Sequence, residues 1–193
     1  MRRRSARACF VGSLLVLVGL LPTCSSVQAQ GVECRSSENA LLLAAQAVPS
    51  ATLIPCIASF PSGWTFGGSR IGSGSFRFWL DSDRAGVHAV QVTLSEACDV
   101  SHAVEVTSVS DDPGFQVYEE PISLPPRFEA NRYVSFRGGC VTYEFRFFPG
   151  ASATLALEAN QALDFVPRSA LARVARDETG LILCGADAPP CLE

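Results

Sequence analysis

Few side chains in this sequence could serve acid–base or nucleophilic chemistry. The chain has two histidines, His88 in a predicted strand and His102 in a predicted loop, so a catalytic triad has little choice of base. The serine-containing segment GSGS, residues 72–75, is predicted to lie between two strands, whereas a nucleophile elbow lies between a strand and a helix. We therefore expect both histidines to be surface or structural residues.

Paired acidic residues are a second candidate for chemistry. Asp111 and Asp112 are adjacent, as are Glu119 and Glu120. A two-carboxylate hydrolase needs two such groups at a fixed separation across a cleft. The segment from Asp111 to Glu129 is therefore the candidate site of a secreted carboxylate-dependent hydrolase. Adjacent acids on a loop are more often simply solvated, so we treat this function as the alternative.

The segment DSDRAG, residues 81–86, begins like a calcium-binding loop, with acids at its first and third positions and glycine at its sixth. Ala85 occupies the fifth position, however, and Val92 stands where a bidentate glutamate is required. A calcium ion takes about six to eight oxygen ligands, and two carboxylates fall short of that. We predict a polar turn here, and we expect neither a metal nor a cofactor.

Six cysteines follow the N-terminal segment, and an even number in an exported chain indicates disulfides rather than free nucleophiles. The absence of a CxxC pair disfavours a zinc site. Many pairings of six cysteines are possible, and the sequence does not choose among them. Our working prediction is local pairing, with bridges Cys34–Cys56, Cys98–Cys140 and Cys184–Cys191.

The stretch RYVSFRGGCVTYEFRFF, residues 132–148, must position several of these groups and is typical of a β-hairpin. Gly138 and Gly139 suit a two-residue type I′ turn, which needs positive φ at both positions. With that turn, Tyr133 faces Glu144, and the side chains divide between two faces. The apolar face is predicted to be core: Val134, Phe136, Val141, Tyr143, Phe145 and Phe147.

The opposite face of this hairpin carries polar side chains and Cys140. Tyr133, Glu144 and Arg146 lie on it, and recognition surfaces favour aromatic and arginine side chains. We predict a binding site at these three residues. If Cys98 bonds to Cys140, we expect the loop that carries Cys98 to cross this face, to cover the Arg137 end and to leave the end with Tyr133, Glu144 and Arg146 open.

Helical spacing of apolar residues occurs near both ends of the chain. Residues 38–48 predict one helix that ends before Pro49, and residues 50–55 are expected to be helical or irregular. Residues 151–166 predict a second helix. Pro167 is expected to begin a third helix, which ends at Gly180.

Alternating apolar residues predict an antiparallel meander of three strands at residues 64–71, 75–83 and 87–94. A short strand follows Cys98, and the prolines after it allow only an edge strand over residues 116–119. We therefore predict an α+β fold with an antiparallel sheet of about five or six strands. We expect the N- and C-terminal helices to cover one face of the sheet, and disulfides to stabilise it.

The N-terminal segment has the pattern of a secretory signal peptide. Arginines precede an apolar run of fourteen residues, which is shorter than the ~20 residues that span a bilayer as a helix. Val27 and Ala29 fit the small-residue rule for cleavage, so we predict a signal peptide over residues 1–29 and a single exported α+β domain over residues 30–193.

The predicted exported domain is acidic. Removing the signal takes away four of fifteen basic residues and none of nineteen acidic ones, which leaves eleven basic against nineteen acidic residues and a formal charge of −8. An acidic chain of this kind binds nucleic acid poorly, so we expect no nucleic-acid partner.

Three sequence features carry a family resemblance: GGCVTYEF within a disulfide-bearing exported chain, VPSATLIPC before an aromatic meander, and a C-terminal LCG followed by a last cysteine. In these features the sequence resembles an uncharacterised family of exported actinobacterial cell-envelope proteins. The resemblance implies export and a fixed cysteine framework, and it implies no catalytic residue.

These observations favour a non-catalytic binding or interaction domain that is secreted or lies on the outer side of the cytoplasmic membrane. Its partner would be an envelope protein or a ligand, and it would touch the membrane only through an uncleaved N-terminal segment. Retention of that segment would make the protein a membrane-anchored extracytoplasmic regulator. The secreted carboxylate-dependent hydrolase is the alternative from a different class.

Overall fold

The computed structural model of the protein describes residues 32–34, 39–106 and 114–186. The described helices are α1 (Asn39–Ala47), α2 (Leu155–Ala162) and α3 (Arg168–Thr179). The described strands are β1 (Leu53–Ile57), β2 (Trp64–Gly72), β3 (Ser75–Ser82), β4 (Gly86–Ser95), β5 (Val104–Val106), β6 (Gln116–Ser123), β7 (Glu129–Phe136), β8 (Gly139–Arg146) and β9 (Leu163–Pro167). The predicted signal segment, residues 1–29, lies outside the described residues.

Seven strands form the main sheet in the order β2-β3-β4-β8-β7-β6-β5, and every neighbouring pair is antiparallel. The predicted antiparallel sheet is confirmed, with seven strands in place of about five or six. The predicted meander is also confirmed as β2, β3 and β4. Strands β1 and β9 form a separate antiparallel pair.

This second pair corrects two helix predictions. Residues 53–57 form β1 rather than a helical or irregular piece. The predicted helix over residues 151–166 is shorter, from Leu155 to Ala162, and β9 begins at Leu163. β1 and β9 take their ladder hydrogen bonds from each other although they lie far apart in sequence. A local pattern cannot report such a pairing.

The boundaries of α3 agree in part with the prediction. Pro167 ends β9 and is the N-cap of α3 rather than its first helical residue, so the predicted start is one residue early. Gly180 has φ of 70° and caps the helix in the left-handed conformation, as predicted.

The central hairpin forms with a different turn from the predicted one. Phe136 faces Gly139, so the turn residues are Arg137 and Gly138. Only Gly138 of these two has positive φ, at 76°, which excludes a type I′ turn. The register therefore moves by two residues, and Tyr133 faces Thr142 instead of Glu144.

Close packing around Gly138 and Gly139 explains why the turn lies at Arg137 and Gly138. A Cβ atom on Gly138 would lie 2.0 Å from the carbonyl oxygen of Ser50, and one on Gly139 would lie 2.8 Å from the ring of Phe136. Each glycine is therefore used for a close approach, one to the segment after α1 and one to an aromatic ring. Because side chains alternate with period two, the shift leaves both faces of the hairpin unchanged.

Strand β6 is longer than predicted and is not the edge of the sheet. β5 pairs with it only at Val117, Tyr118 and Glu119, and β7 pairs along its other side. Pro121 lies beyond the last residue that β5 contacts. Its missing N–H therefore costs no ladder hydrogen bond on that side.

The hydrophobic core lies on the apolar face of the hairpin and of the meander. The six apolar hairpin residues predicted to be core are all buried, which confirms that prediction. The same cluster includes Leu41 of α1, Leu155 of α2 and Leu171 of α3. It also includes alternate residues of β3 and β4: Phe76, Phe78, Leu80, Val90, Val92 and Leu94.

Two of the three predicted disulfides are confirmed. Cys34 bonds to Cys56, with a Cα–Cα distance of 5.0 Å, and Cys98 bonds to Cys140, with a Cα–Cα distance of 5.7 Å. Cys184 is disulfide-bonded. Its predicted partner, Cys191, lies outside the described residues, so that pairing stays a prediction.

Candidate functional site

The three predicted binding residues lie on the same face of the sheet, opposite the core. Glu144 faces Asn131 across the β7–β8 ladder, and Arg146 faces Glu129. The side chains of Glu144 and Arg146 retain 32% and 38% exposure. Tyr133 is only 8% exposed, so it supports this face more than it presents a free surface.

A series of hydrogen bonds joins the meander to Glu144. Trp79 Nε1 donates to Gln91 Oε1 at 2.9 Å, and Gln91 Nε2 donates to Glu144 Oε1 at 2.6 Å. These three residues occupy neighbouring positions on β3, β4 and β8. The ring of His88 stacks on Trp79 with a centroid distance of 5.2 Å.

Further side-chain contacts join Glu144 to β6. Arg146 Nη2 lies 3.6 Å from Glu144 Oε2 and donates to Asn131 Oδ1 at 3.1 Å. Asn131 Nδ2 and the Tyr133 hydroxyl both donate to Glu120 Oε2, at 2.9 and 2.7 Å. Seven side chains are thus linked across five strands, and we call them the polar network: Trp79, Gln91, Glu120, Asn131, Tyr133, Glu144 and Arg146.

Hydrogen bonding and burial move two pKa values within the polar network in opposite directions. The Tyr133 hydroxyl, and after it the Asn131 amide, hold the pKa of Glu120 below its usual value. Burial is the main cause of a raised pKa at Tyr133, and its bond to Glu120 adds to it. The pair therefore stays a carboxylate and a neutral phenol near neutral pH, with the phenol donating.

The loop that carries Cys98 lies beside this pair. Thr142 Oγ1 lies 3.3 Å from Cys98 Sγ. The charge of Asp99 contributes to the raised pKa of Tyr133, and the charge of His102 contributes to the lowered pKa of Glu120. The expectation that this loop leaves Tyr133 open is therefore wrong, whereas Glu144 and Arg146 are partly exposed, as expected.

Sequence reasoning missed four members of the polar network. The binding site was predicted on residues 132–148, and none of the four lies in that stretch: Trp79, Gln91, Glu120 and Asn131. Their contacts depend on the β3–β4, β4–β8 and β6–β7 pairings, which bring separate segments into one row. Trp79 alternating with apolar residues on β3 was the one available signal, because a tryptophan on the polar side of a strand is unusual.

The carboxylates considered for hydrolysis do not converge within the described part of the chain. Glu119 and Glu120 are consecutive on β6, so they point to opposite faces. Glu119 pairs with Arg132 at 3.0 Å, while Glu120 belongs to the polar network. A lowered pKa does not suit Glu120 to donate a proton as a general acid. Asp111 and Asp112 lie outside the described residues.

The DSDRAG segment contains the turn between β3 and β4: residues 83–85 form the turn, Asp81 and Ser82 end β3, and Gly86 begins β4. Asp81 Oδ1 accepts a hydrogen bond from the His88 backbone N–H at 2.7 Å, and Asp83 lies 3.6 Å from Arg84. Arg84 also donates to Glu158 and to the Ser62 carbonyl oxygen, which ties this turn to α2. Within the described ranges, no group of three or more histidine, cysteine or acidic side chains is arranged to hold a metal ion.

A groove of about 280 Å³ lies on the other face, between α2 and the β6–β7 end of the sheet. Phe128, Ala130 and Phe145 line it, and the ion pair of Arg132 with Glu119 lies at its edge. Because these two charges satisfy each other, the groove presents a mainly apolar surface.

None of the helices in the part of the chain that the structure describes is long and apolar enough to cross a membrane. The chain matches no protein-family model, and neither a curated protein nor a solved structure shows significant similarity to it.

Proposed function

We propose that the protein is an exported, non-catalytic binding domain that recognises an envelope protein or ligand through the exposed part of the polar network. The observation that carries this proposal is the row from Trp79 to Glu120 on the sheet face opposite the core, which is joined by hydrogen bonds and by the Glu144–Arg146 ion pair. In this proposal the three helices cover the apolar face, so the network face is the one left for a partner.

The polar network suits recognition because its side chains are already held in place. Arg146 donates to the backbone carbonyl oxygens of Phe145 and Ala130 as well as to Asn131. Glu144 is fixed by Gln91. A side chain that is ordered before binding loses less conformational entropy when a partner arrives. Arginine and tryptophan are also the residue types that contribute most at interfaces.

The location outside the cytoplasmic membrane rests on the cysteines and the N-terminal segment. Disulfides persist in oxidising compartments, and two are present among the described residues. We infer cleavage after Ala29, membership of the exported actinobacterial envelope proteins that the sequence resembles, and membrane contact only if the N-terminal segment is retained. Mass measurement of the exported protein tests the cleavage, because a chain that begins before Gln30 contradicts it.

Binding to a solubilised envelope extract tests the recognition role. The exported protein and its Glu144→Gln and Arg146→Gln variants would be immobilised, and the dissociation constant of any saturably bound component would be measured. Removing one partner of a hydrogen-bonded charge pair at an interface costs about 2–5 kcal/mol, so we expect affinity to fall at least about 30-fold. Arg173→Gln, on the exposed side of α3, is the matched control and should bind like the wild type.

Equal affinity of all four proteins for that component would contradict a role for the polar network. Hydrolysis of an envelope component by the wild type, lost in Glu119→Gln or Glu120→Gln, would favour the hydrolase instead. The two functions are thus separated by whether the extract component is retained or consumed.

A further inference from the structure

Two arginines lie opposite each other at the β2 edge of the main sheet. Arg70 on β2 and Arg77 on β3 are cross-strand partners, so their side chains leave the same face with Cβ atoms about 5 Å apart. This is the face of the polar network, because Trp79 follows Arg77 by two residues on β3. Like charges opposite one another on neighbouring strands repel. An anion between the two guanidinium groups would remove that repulsion.

The arginine pair has no counter-charge within the described residues. Neither guanidinium lies within 4.0 Å of a carboxylate, and neither donates a hydrogen bond to another described group. Arg84, Arg132 and Arg146, in contrast, each lie within 4.0 Å of a glutamate. The chain carries an excess of acidic residues. Acidic side chains are therefore plentiful in this chain, but none of the described ones is placed beside Arg70 or Arg77.

Unsatisfied polar atoms lie in the same row of the sheet. Arg77 Nε is buried without a hydrogen-bond partner, and so is Oγ1 of Thr93, which faces Arg77 from β4. Buried polar atoms without partners are uncommon in folded proteins. The burial of Nε also restrains the Arg77 side chain, whereas Arg70 on the edge strand is exposed. One guanidinium is thus held in place and the other is free to close over a ligand.

We propose that Arg70 and Arg77 form a binding site for a phosphate-type oxyanion. The guanidinium group presents donors in a planar fork that matches the oxygens of phosphate, and two such forks can hold one tetrahedral anion. The source of the phosphate group is either a free phosphate compound or the headgroup of an anionic lipid, and a lipid headgroup would add a membrane contact to the one inferred for the N-terminal segment. The site does not rest on the proposed recognition role, because it uses neither Glu144 nor Arg146.

Titration with inorganic phosphate tests the site directly. Binding to the full exported protein would be followed by calorimetry at constant ionic strength, for the wild type and for Arg70→Gln, Arg77→Gln and Arg173→Gln. We expect saturable binding that weakens at least about tenfold in either arginine-pair variant, since each loses a charge-assisted hydrogen bond. The Arg173→Gln control should keep the wild-type affinity.

If Arg77→Gln fails to fold, the comparison of Arg70→Gln with the wild type tests the proposal alone, because Arg70 is exposed and its substitution does not disturb the core. Co-sedimentation with phosphatidylglycerol vesicles, with phosphatidylcholine vesicles as the neutral comparison, distinguishes the two sources of phosphate. Saturable phosphate binding with vesicle binding indicates a lipid headgroup, and saturable binding without it indicates a free phosphate compound. Non-saturable binding, or equal affinity in the wild type and Arg70→Gln, would overturn the proposal and leave the pair as charges that protect the β2 edge.

Discussion

Replacing Arg168 by methionine should destabilise the protein, although it removes a buried charge. Arg168 is 2% exposed and has no carboxylate partner among the described residues. Its guanidinium donates instead to backbone carbonyl oxygens of Ala45, Val48 and Cys184. The Ala45 oxygen belongs to the last turn of α1, where carbonyl groups lack a partner within the helix. Arg168 therefore links α1, α3 and the C-terminal tail through one cation.

The size of the effect follows from what the carbonyl groups lose. Each buried acceptor left without a partner costs about 1–3 kcal/mol, and the Ala45 and Cys184 oxygens are the two acceptors most directly affected. Removing the guanidinium also relieves its desolvation, which is the cause of its lowered pKa. We expect a net loss of about 3 kcal/mol in the free energy of unfolding. That loss corresponds to a fall of about 6–12 °C in Tm for a domain of this size.

Urea unfolding followed by tryptophan fluorescence measures the change. Arg168→Met is compared with Arg168→Lys, which keeps the charge but cannot reach all three carbonyl groups, and with Arg173→Gln on the exposed side of the same helix. We expect the lysine variant to be intermediate and the control to lie within about 0.5 kcal/mol of the wild type. A methionine variant as stable as the wild type would refute the reasoning, because desolvation of the guanidinium would then outweigh its hydrogen bonds.

Three further changes test the hairpin, the loop across the polar face and the polar network. Gly138→Ala should lower the free energy of unfolding, measured with urea, by more than about 2 kcal/mol, because a Cβ would lie 2.0 Å from a backbone oxygen. Gly74→Ala, also at positive φ but with open space around the Cβ, should lower it by about 1 kcal/mol. Serine substitution of both cysteines in the Cys98–Cys140 bridge, which spans 42 residues, should cost about 4 kcal/mol by the same measurement. Tyr133→Phe should raise the pKa of Glu120, as followed by NMR titration. Because the folded-state pKa of Glu120 is lowered, its stabilisation is present above the unfolded pKa and is lost as the pH falls through the folded value. The stability difference between wild type and Tyr133→Phe should therefore shrink on acidification, and a constant difference would contradict this assignment.

Helices and strands that are marked by a pattern of neighbouring residues could be predicted from the sequence. Phe76, Phe78 and Leu80 alternate on β3 and are fully buried, as the period-two pattern predicts. Gly180 ends α3 as a left-handed cap because glycine adopts that conformation without steric cost. Strands β1 and β9 were missed because neither has a partner nearby in sequence.

The members of the polar network divide in the same way. Tyr133, Glu144 and Arg146 lie within one hairpin, so their common face follows from side-chain alternation alone. Gln91 and Glu120 come from strands whose neighbours are set by the order of the whole sheet. A single sequence gives the period of each strand, but it does not give that order. The residues of a site can thus be placed on a face before their contacts can be assigned.

The hairpin turn shows why the predicted face is right although the predicted contact is wrong. Two consecutive glycines allow more than one two-residue turn, and the contacts of Gly138 with Ser50 decide between them. The resulting register differs by two residues, so every side chain keeps its face. Tyr133 and Glu144 are therefore diagonal neighbours, displaced by about 7 Å along the strands, and the Tyr133 hydroxyl donates to a diagonal neighbour on β6 rather than to Glu144 on β8. Tyr133 binds Glu120 instead, which leaves Glu144 with Arg146 on the exposed part of the face, where a partner can reach them.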